Sequence, residues 1–432
     1  MRDLEPHELD HTLRTTAREF ELSGSIGPDG QSTLPERLAD DETLAWLREA
    51  RGKDPLAESL ERWLLRLREH AECAPRRRKL GEALNTTLHP VREPESGLRT
   101  LGDLLRTALA RPAERAALLR SFFGAAGGLS EQVKRLWEER AQFAERVGAS
   151  LASFEVASPA VLPAARDFLS QTRDAYQTLG IDGGERLLTL ALAEDAHEGW
   201  PSRLSSRSVA ALLPEPEWFE GLRLAPFSLP EAHGAASFAR AFGAVGRALA
   251  DAAAARRTPF VMTRDVFDAQ RENMGALLSL LPTSRAFATR RLGLGAGSAT
   301  DHVRSLSRTA LVSARTAAFR VLLRELLLGG SRSLQQNFGE LAELAFGFEL
   351  PLPVAGAFIR ARPRDTQRFA ALLQASRTTS ALIERHDEDW FRNPRAIREL
   401  RAELEQPLPP GPDAEALSAG GRALQAGLEA KL

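Results

Sequence analysis

The two histidines nearest the start of the chain have the spacing of a zinc-binding motif. His7, Glu8 and His11 satisfy the pattern H-E-x-x-H. Two histidines four positions apart lie on one helix face and can bind one zinc ion, while the glutamate accepts a proton from zinc-bound water. This pattern predicts a zinc-dependent peptidase or hydrolase. A solvated N-terminal helix is the other interpretation, because Asp10 places a charge where such a motif is normally apolar and buried.

A second stretch, at the centre of the chain, has the frame of such a motif without its chemical groups. It reads Ser237-Phe238-Ala239-Arg240-Ala241-Phe242-Gly243-Ala244-Val245-Gly246-Arg247-Ala248-Leu249-Ala250. This resembles the active-site helix of the thimet oligopeptidase and oligoendopeptidase F group of zinc metallopeptidases, which has the form S-F-x-x-x-(hydrophobic)-H-E-x-G-H-A-L-H. The positions that fit the frame are Ser237, Phe238, Phe242, Gly246, Ala248 and Leu249.

The resemblance assigns a lost role to each chemical position of that helix. Gly243 and Arg247 replace the two metal-binding histidines, and Ala244 replaces the general-base glutamate. Glu272 is similar to the third metal ligand of the family, which comes from the next helix. A catalytic zinc site has three protein ligands and an open position for water, so one carboxylate cannot form it. Glu272 is equally well interpreted as an ordinary ion-pairing glutamate.

The same resemblance extends from about residue 129 to residue 407. A helix ending at Gly148 and the turn Trp390-Phe391-Arg392-Asn393-Pro394 are similar to family segments in the same order. The family also has late tyrosine and histidine residues that stabilise the oxyanion of the reaction. Here the only tyrosine is Tyr176, far upstream, and residues 363–384 contain neither tyrosine nor histidine. The resemblance therefore implies that a second part of the catalytic machinery is missing.

Composition narrows the classes of partner and compartment. The 432 residues carry a formal net charge of −1, which gives no electrostatic reason to expect nucleic acid or an anionic membrane surface. One cysteine excludes an intrachain disulfide and a thiolate metal cluster. The acidic start is unlike a signal peptide, and no apolar run is long enough to cross a membrane. These features predict a cytoplasmic protein, and the excess of arginine over lysine suggests a GC-rich bacterial genome.

Helical periodicity and length predict the architecture. The chain exceeds the roughly 250–300 residues at which one hydrophobic core stops growing. We expect a mainly α, two-lobed fold like that of a zinc oligopeptidase, with at most a small β element beside the central helix, at Leu222–Ala225. The expected regions are an N-terminal helical region, 1–128, an oligopeptidase-like helical domain, 129–406, and a proline-rich linker with a loosely attached C-terminal tail, 407–432. Residues 232–253 and 263–281 should form two adjacent antiparallel helices.

The function predicted on this basis is that of a pseudoenzyme, a peptidase-like protein without a cofactor or catalytic residues that binds a peptide or protein partner or has a regulatory role. Two alternatives stay open. One is a zinc hydrolase that uses His7, Glu8 and His11, and the other is a purely structural helical interaction protein. At the degenerate site we predict that an Arg247–Glu272 ion pair replaces the metal cross-link, because arginine forms bidentate bonds with carboxylates. The sequence does not determine the oligomeric state.

Overall fold

The fold is mainly α-helical, as the sequence predicts. The computed structural model describes residues 6–432 with short gaps, which are residues 24–33, 55, 92–95, 152–153, 155–157, 214, 225–228, 230, 255–258, 359–363 and 407–410. The elements of the N-terminal half are α1 (Pro6–Ser23), α2 (Glu36–Ala39), α3 (Asp41–Ala50), α4 (Ala57–Glu72), α5 (Ala74–Asn85), β1 (Leu88–Val91), β2 (Gly97–Thr100), α6 (Leu101–Ala110), α7 (Arg115–Ala125), α8 (Gly127–Arg146), α9 (Val161–Gln171), α10 (Arg173–Gln177), α11 (Gly184–Leu192) and α12 (Ser206–Ala211).

The second half contains the longest helices. Its elements are α13 (Ala235–Ala254), α14 (Phe260–Thr263), α15 (Ala269–Leu280), α16 (Arg285–Arg290), α17 (Ala296–Leu328), α18 (Ser331–Phe346), α19 (Ala355–Phe358), α20 (Arg364–His386), α21 (Pro394–Leu404) and α22 (Ala414–Glu429). None of the described helices is long and apolar enough to cross a membrane.

Short polar side chains fix where several of these helices begin. Thr100, Asn393 and Asp413 each accept a hydrogen bond from a backbone amide in the first turn of the helix that follows. Such caps satisfy amides that have no partner within the helix. Pro394 occupies the first position of α21, where its missing N–H has no cost.

The small β element is not where the sequence analysis placed it. Strands β1 and β2 form an antiparallel pair in the N-terminal region, with Leu88 opposite Thr100. Residues 222–224, which we expected to begin a short strand before the central helix, are irregular, and Ala225 lies outside the described residues. The difference arises because alternation over four residues is too short to distinguish a strand from a loop.

Three large hydrophobic cores hold the helices together. The largest draws residues from positions between 73 and 428, so it includes residues on both sides of position 128. A second core lies between positions 209 and 404 and contains the inner faces of α13 and α15. The third joins α1, α3 and α4 to α8 and α14. The N-terminal helices therefore pack directly against the segment that connects α13 to α15.

Helix α22 is closely packed, unlike the loosely attached tail that the proline-rich segment suggested. Leu417 is fully buried, and a β-carbon at Gly420 would lie 2.4 Å from the carbonyl oxygen of Leu373 in α20. Only glycine allows the two backbones to approach so closely. The proline-rich segment itself falls partly on residues 407–410, which lie outside the described residues.

The expected pair of central helices is present and antiparallel. Arg271, near the start of α15, lies 3.1 Å from Asp251, near the end of α13. At the other end of the pair, a β-carbon at Gly243 would lie 3.5 Å from the β-carbon of Ser279. The two helices therefore run in opposite directions. This confirms the prediction for residues 232–253 and 263–281 within one or two turns at each end.

Candidate functional site

The positions that the sequence marked as degenerate lie on the buried contact between α13 and α15. Gly243 is buried, and a β-carbon there would lie 3.2 Å from the carbonyl oxygen of Gly275. Ala244 is also buried, at 8% exposure. The helices are too close at this point for a histidine side chain to replace Gly243 without moving one of them.

Glu272 forms the centre of a charged cluster at this contact. Its side chain is 3% exposed, and Arg247 Nη1 lies 3.6 Å from its Oε2 atom. The two side chains that we expected to face each other therefore lie within ion-pair distance. At 3.6 Å the contact is electrostatic and longer than a normal hydrogen bond.

A second arginine, Arg368 of α20, meets the same carboxylate. Its Nε atom lies 3.5 Å from Glu272 Oε2. The side chains of Arg247 and Arg368 are 29% and 34% exposed, so both reach from the buried carboxylate toward the surface. Glu272 thus links three helices, α13, α15 and α20, and we call these three side chains the Arg–Glu–Arg cluster.

Arg368 was missed by the sequence analysis for a physical reason. It lies in the interval 363–384, where we looked for tyrosine and histidine and found neither. A buried carboxylate needs a positive partner, so the sequence could have signalled that some arginine approaches Glu272. Nothing local to α20 selects Arg368 over its other arginines, because the contact joins residues 96 positions apart, from 272 to 368.

A further buried ion pair ties α20 to the long helix α17 beside the cluster. Arg324 Nη2 lies 3.2 Å from Asp365 Oδ2, and both side chains are 3% exposed. Burial lowers the pKa of Arg324 to about 10, while Asp365 opposes this shift. The pKa of Arg320 is also lowered by burial, with Arg368 adding to the effect. Asp365 and Arg368, three positions apart on α20, therefore anchor this helix to two different neighbours.

The N-terminal H-E-x-x-H pattern lies only partly within the residues whose side chains the structure describes. His11 is exposed, and the side chains of His7 and Glu8 lie outside the described residues. Asp10 is 5% exposed and accepts hydrogen bonds from the backbone amides of Phe260 and Val261. The charge that opposed the zinc interpretation is thus the cap of α14. Among the described residues no group of three or more His, Cys, Asp or Glu side chains is arranged to hold a metal ion.

Tyr176, the single tyrosine, belongs to a different part of the molecule. It is 3% exposed, and the guanidinium carbon of Arg315 lies 4.4 Å from its ring centroid. Burial raises the pKa of Tyr176 to about 12, with Arg315 acting in the opposite direction. Tyr176, in α10, is therefore part of the largest hydrophobic core, where its ring packs against the guanidinium group of Arg315. The described contacts of the Arg–Glu–Arg cluster include no tyrosine.

The geometry of the cluster suits electrostatic recognition better than bond cleavage. Arginine donates N–H groups and remains charged, so neither Arg247 nor Arg368 can act as a general base. Glu272 lies between the two guanidinium groups, within ion-pair distance of each. No known protein-family model matches this chain, and no curated protein matches it either.

Proposed function

We propose that this protein is a non-catalytic relative of the zinc oligopeptidases that binds a peptide or protein partner through a carboxylate. The observation that carries the proposal is the Arg–Glu–Arg cluster at the junction of α13, α15 and α20. It includes two of the positions that the resemblance implies for the metal site, Arg247 and Glu272, and the side chains of Arg247 and Arg368 are 29% and 34% exposed.

The packing between α13 and α15 supports the non-catalytic part of the proposal. Gly243 has no side chain and sits against the backbone of Gly275, and Ala244 offers only a methyl group. Metal-assisted hydrolysis needs ligands for the ion and a group that takes a proton from water. The side chains at positions 243, 244 and 247 can do neither. The proposal therefore assigns these positions to helix packing and charge.

The charges of the cluster support the choice of a carboxylate ligand. Two guanidinium groups share one buried carboxylate, so the three side chains together carry a net positive charge. Guanidinium groups bind carboxylates through paired N–H donors in one plane. Peptides supply such a group at their C-terminus and in acidic side chains. A ligand carboxylate near the exposed parts of Arg247 and Arg368 would leave their contact with Glu272 in place.

A binding assay with two matched peptides tests this proposal. One is a labelled unstructured peptide with a free C-terminal carboxylate and no acidic side chain, and the other is its C-terminal amide. We expect the free acid to bind about tenfold more tightly, and Arg368→Gln to remove that difference. Arg290→Gln is the control, since Arg290 is an exposed arginine on α16.

The same peptides separate the proposal from its rivals. Incubation with added zinc should leave both peptides intact, and a chelator should change nothing. Chelator-sensitive cleavage that is lost in His7→Ala would instead establish the hydrolase alternative. Equal affinity for acid and amide in the unmodified protein would contradict carboxylate recognition, and no binding of either peptide would favour a structural role.

A further inference from the structure

A cavity of about 510 Å³ lies between the C-terminal helix and the middle of the fold, away from the Arg–Glu–Arg cluster. Its walls come from the turn after α15, the start of α17, the second half of α20 and the end of α22. This volume is within the range of roughly 300–1,000 Å³ typical of small-molecule sites. The lining contains four charged side chains, which are those of Arg285, Arg304, Glu388 and Lys431, and apolar side chains over much of the rest.

Lys431 is the one lysine among the described residues that line this cavity. Its Nζ atom lies 3.4 Å from the hydroxyl oxygen of Thr283, a weak contact with a residue that is 7% exposed. Burial lowers the pKa of Lys431, and Glu388 opposes the shift. Among the described residues, no carboxylate lies within 4 Å of Lys431 Nζ. A partly buried ammonium group without a close negative partner is costly, and a bound anion would offset that cost.

Four hydroxyl groups of the lining already donate their protons within the protein. Ser376, Thr379 and Ser380 each donate their proton to a carbonyl oxygen one turn earlier in α20. Thr283 donates in the same way to Leu280. These oxygens can therefore accept hydrogen bonds but do not donate to a ligand. A phosphate would have to take its further donors from the surface arginines of the lining, whereas the one ammonium group of Lys431 is sufficient for a monocarboxylate.

The remaining charges of the lining favour an anionic ligand. Arg285 is exposed, and Arg304 is paired with Asp301 at 3.0 Å on the surface. With Lys431 these give three side-chain cations against the side-chain carboxylate of Glu388. The side chains of the lining are therefore positive overall, which favours an anion over a neutral ligand.

The apolar part of the lining indicates the body of the ligand. Ile383 is 40% exposed, although it is a large aliphatic side chain. Leu424, Leu428 and Trp390 line the same cavity and are largely buried. A hydrocarbon chain placed here would remove Ile383 from water at about 25 cal/mol per Å² of buried apolar area.

We propose that this cavity binds an apolar monocarboxylate, with the carboxylate on Lys431 and the hydrocarbon body against Ile383, Trp390 and Leu424. The ligand class is a small organic acid with one negative charge and an aliphatic or aromatic body. The proposal is independent of the peptide site, because it involves other residues and another cavity.

Titration calorimetry with decanoate, decanol and inorganic phosphate as probes tests the proposal. We expect decanoate to bind about tenfold or more tightly than decanol, which has the same chain without the charge, and phosphate neither to bind nor to compete. Lys431→Met should weaken decanoate binding about tenfold or more. Lys134→Met is the matched control, since Lys134 is an exposed lysine of α8 paired with Glu138.

A second variant and a spectroscopic measurement keep the test decisive. A β-carbon at Gly427 meets no atom within 4 Å, so the Gly427→Phe variant should fold. Its ring should fill part of the cavity and again weaken the binding of decanoate.

The chain has lysines only at 53, 79, 134 and 431, so reductive ¹³C-methylation gives few NMR signals. The Lys431 signal should titrate at lower pH than the others and move to higher pH with decanoate. Undiminished decanoate binding in Lys431→Met, equal binding of decanol, or no decanoate binding would each overturn the proposal.

Discussion

The carboxylate of Asp10 accepts a hydrogen bond of 2.8 Å from the backbone amide of Phe260, 250 positions further along the chain. A second bond of 3.0 Å comes from the amide of Val261. These two amides open the short helix α14, and Trp63 of α4 donates to the carbonyl oxygen of Arg264 just beyond it. The N-terminal helices are thus fastened by specific polar contacts to the connection between α13 and α15.

We predict that Asp10→Ala loosens this attachment. The change leaves two buried amides without an acceptor, which costs about 2–3 kcal/mol. Hydrogen exchange should show faster exchange at the amides of Phe260 and Val261, and chemical denaturation should show the lost stability. Asp301→Ala is the control, because it breaks an exposed ion pair and should cost only about 0.5 kcal/mol. Unchanged exchange at both amides would contradict the capping role.

The close approach of α13 and α15 gives a second prediction. A β-carbon at Gly246 would lie 2.4 Å from the carbonyl oxygen of Met274, so Gly246→Ala must push the helices apart. We expect a loss of about 2–3 kcal/mol in the free energy of unfolding, from overpacking against backbone. Gly339→Ala, in α18, meets no atom within 4 Å and should gain up to about 1 kcal/mol from helix propensity. If Gly246→Ala and Gly339→Ala change the free energy of unfolding in the same direction, the close contact at Gly246 does not control stability.

The sequence predicted the parts of the fold that depend on local pattern. The central helices were predicted because much of the chain shows helical periodicity and because this stretch resembles the active-site helix of a zinc peptidase family. The role of Asp10 and the partner Arg368 were not predictable, because each contact joins distant segments whose approach depends on the whole packing. The H-E-x-x-H pattern is also a local pattern, and its spacing does not determine which of its side chains faces the core. Similarly, four-residue strands carry too little pattern to be placed.

Arg368 changes the expected response of the cluster to mutation. From the sequence alone, loss of Arg247 would strand the carboxylate of Glu272, yet in the structure Arg368 remains 3.5 Å away. We therefore expect Arg247→Gln to be tolerated and the double variant Arg247→Gln/Arg368→Gln to cost about 3 kcal/mol, since it leaves a buried charge unpaired. Adding Glu272→Gln to the double variant should restore most of that loss. Chemical denaturation measures all three, and an equal loss in the single and double variants would contradict shared pairing.

A buried histidine predicts how stability depends on pH. His302 in α17 is 3% exposed, and its ring centroid lies 5.8 Å from that of Trp200. Burial lowers the pKa of His302 from 6.5 to about 4 in the folded protein. The unfolded state therefore takes up a proton first, and stability falls as the pH drops from about 6.5 toward 4. Below the folded pKa the loss levels off, at up to about 3 kcal/mol.

The difference between wild type and His302→Leu isolates this contribution from the carboxylates that titrate in the same range. Leucine keeps an apolar contact with Trp200 and binds no proton, so the variant should lose less stability between pH 7 and pH 4. Denaturation curves at several pH values measure the difference, which should grow as the pH falls. His11→Leu is the control for replacing a histidine with leucine at an exposed position. Parallel pH profiles for wild type and His302→Leu would show that His302 does not control the acid sensitivity of the fold.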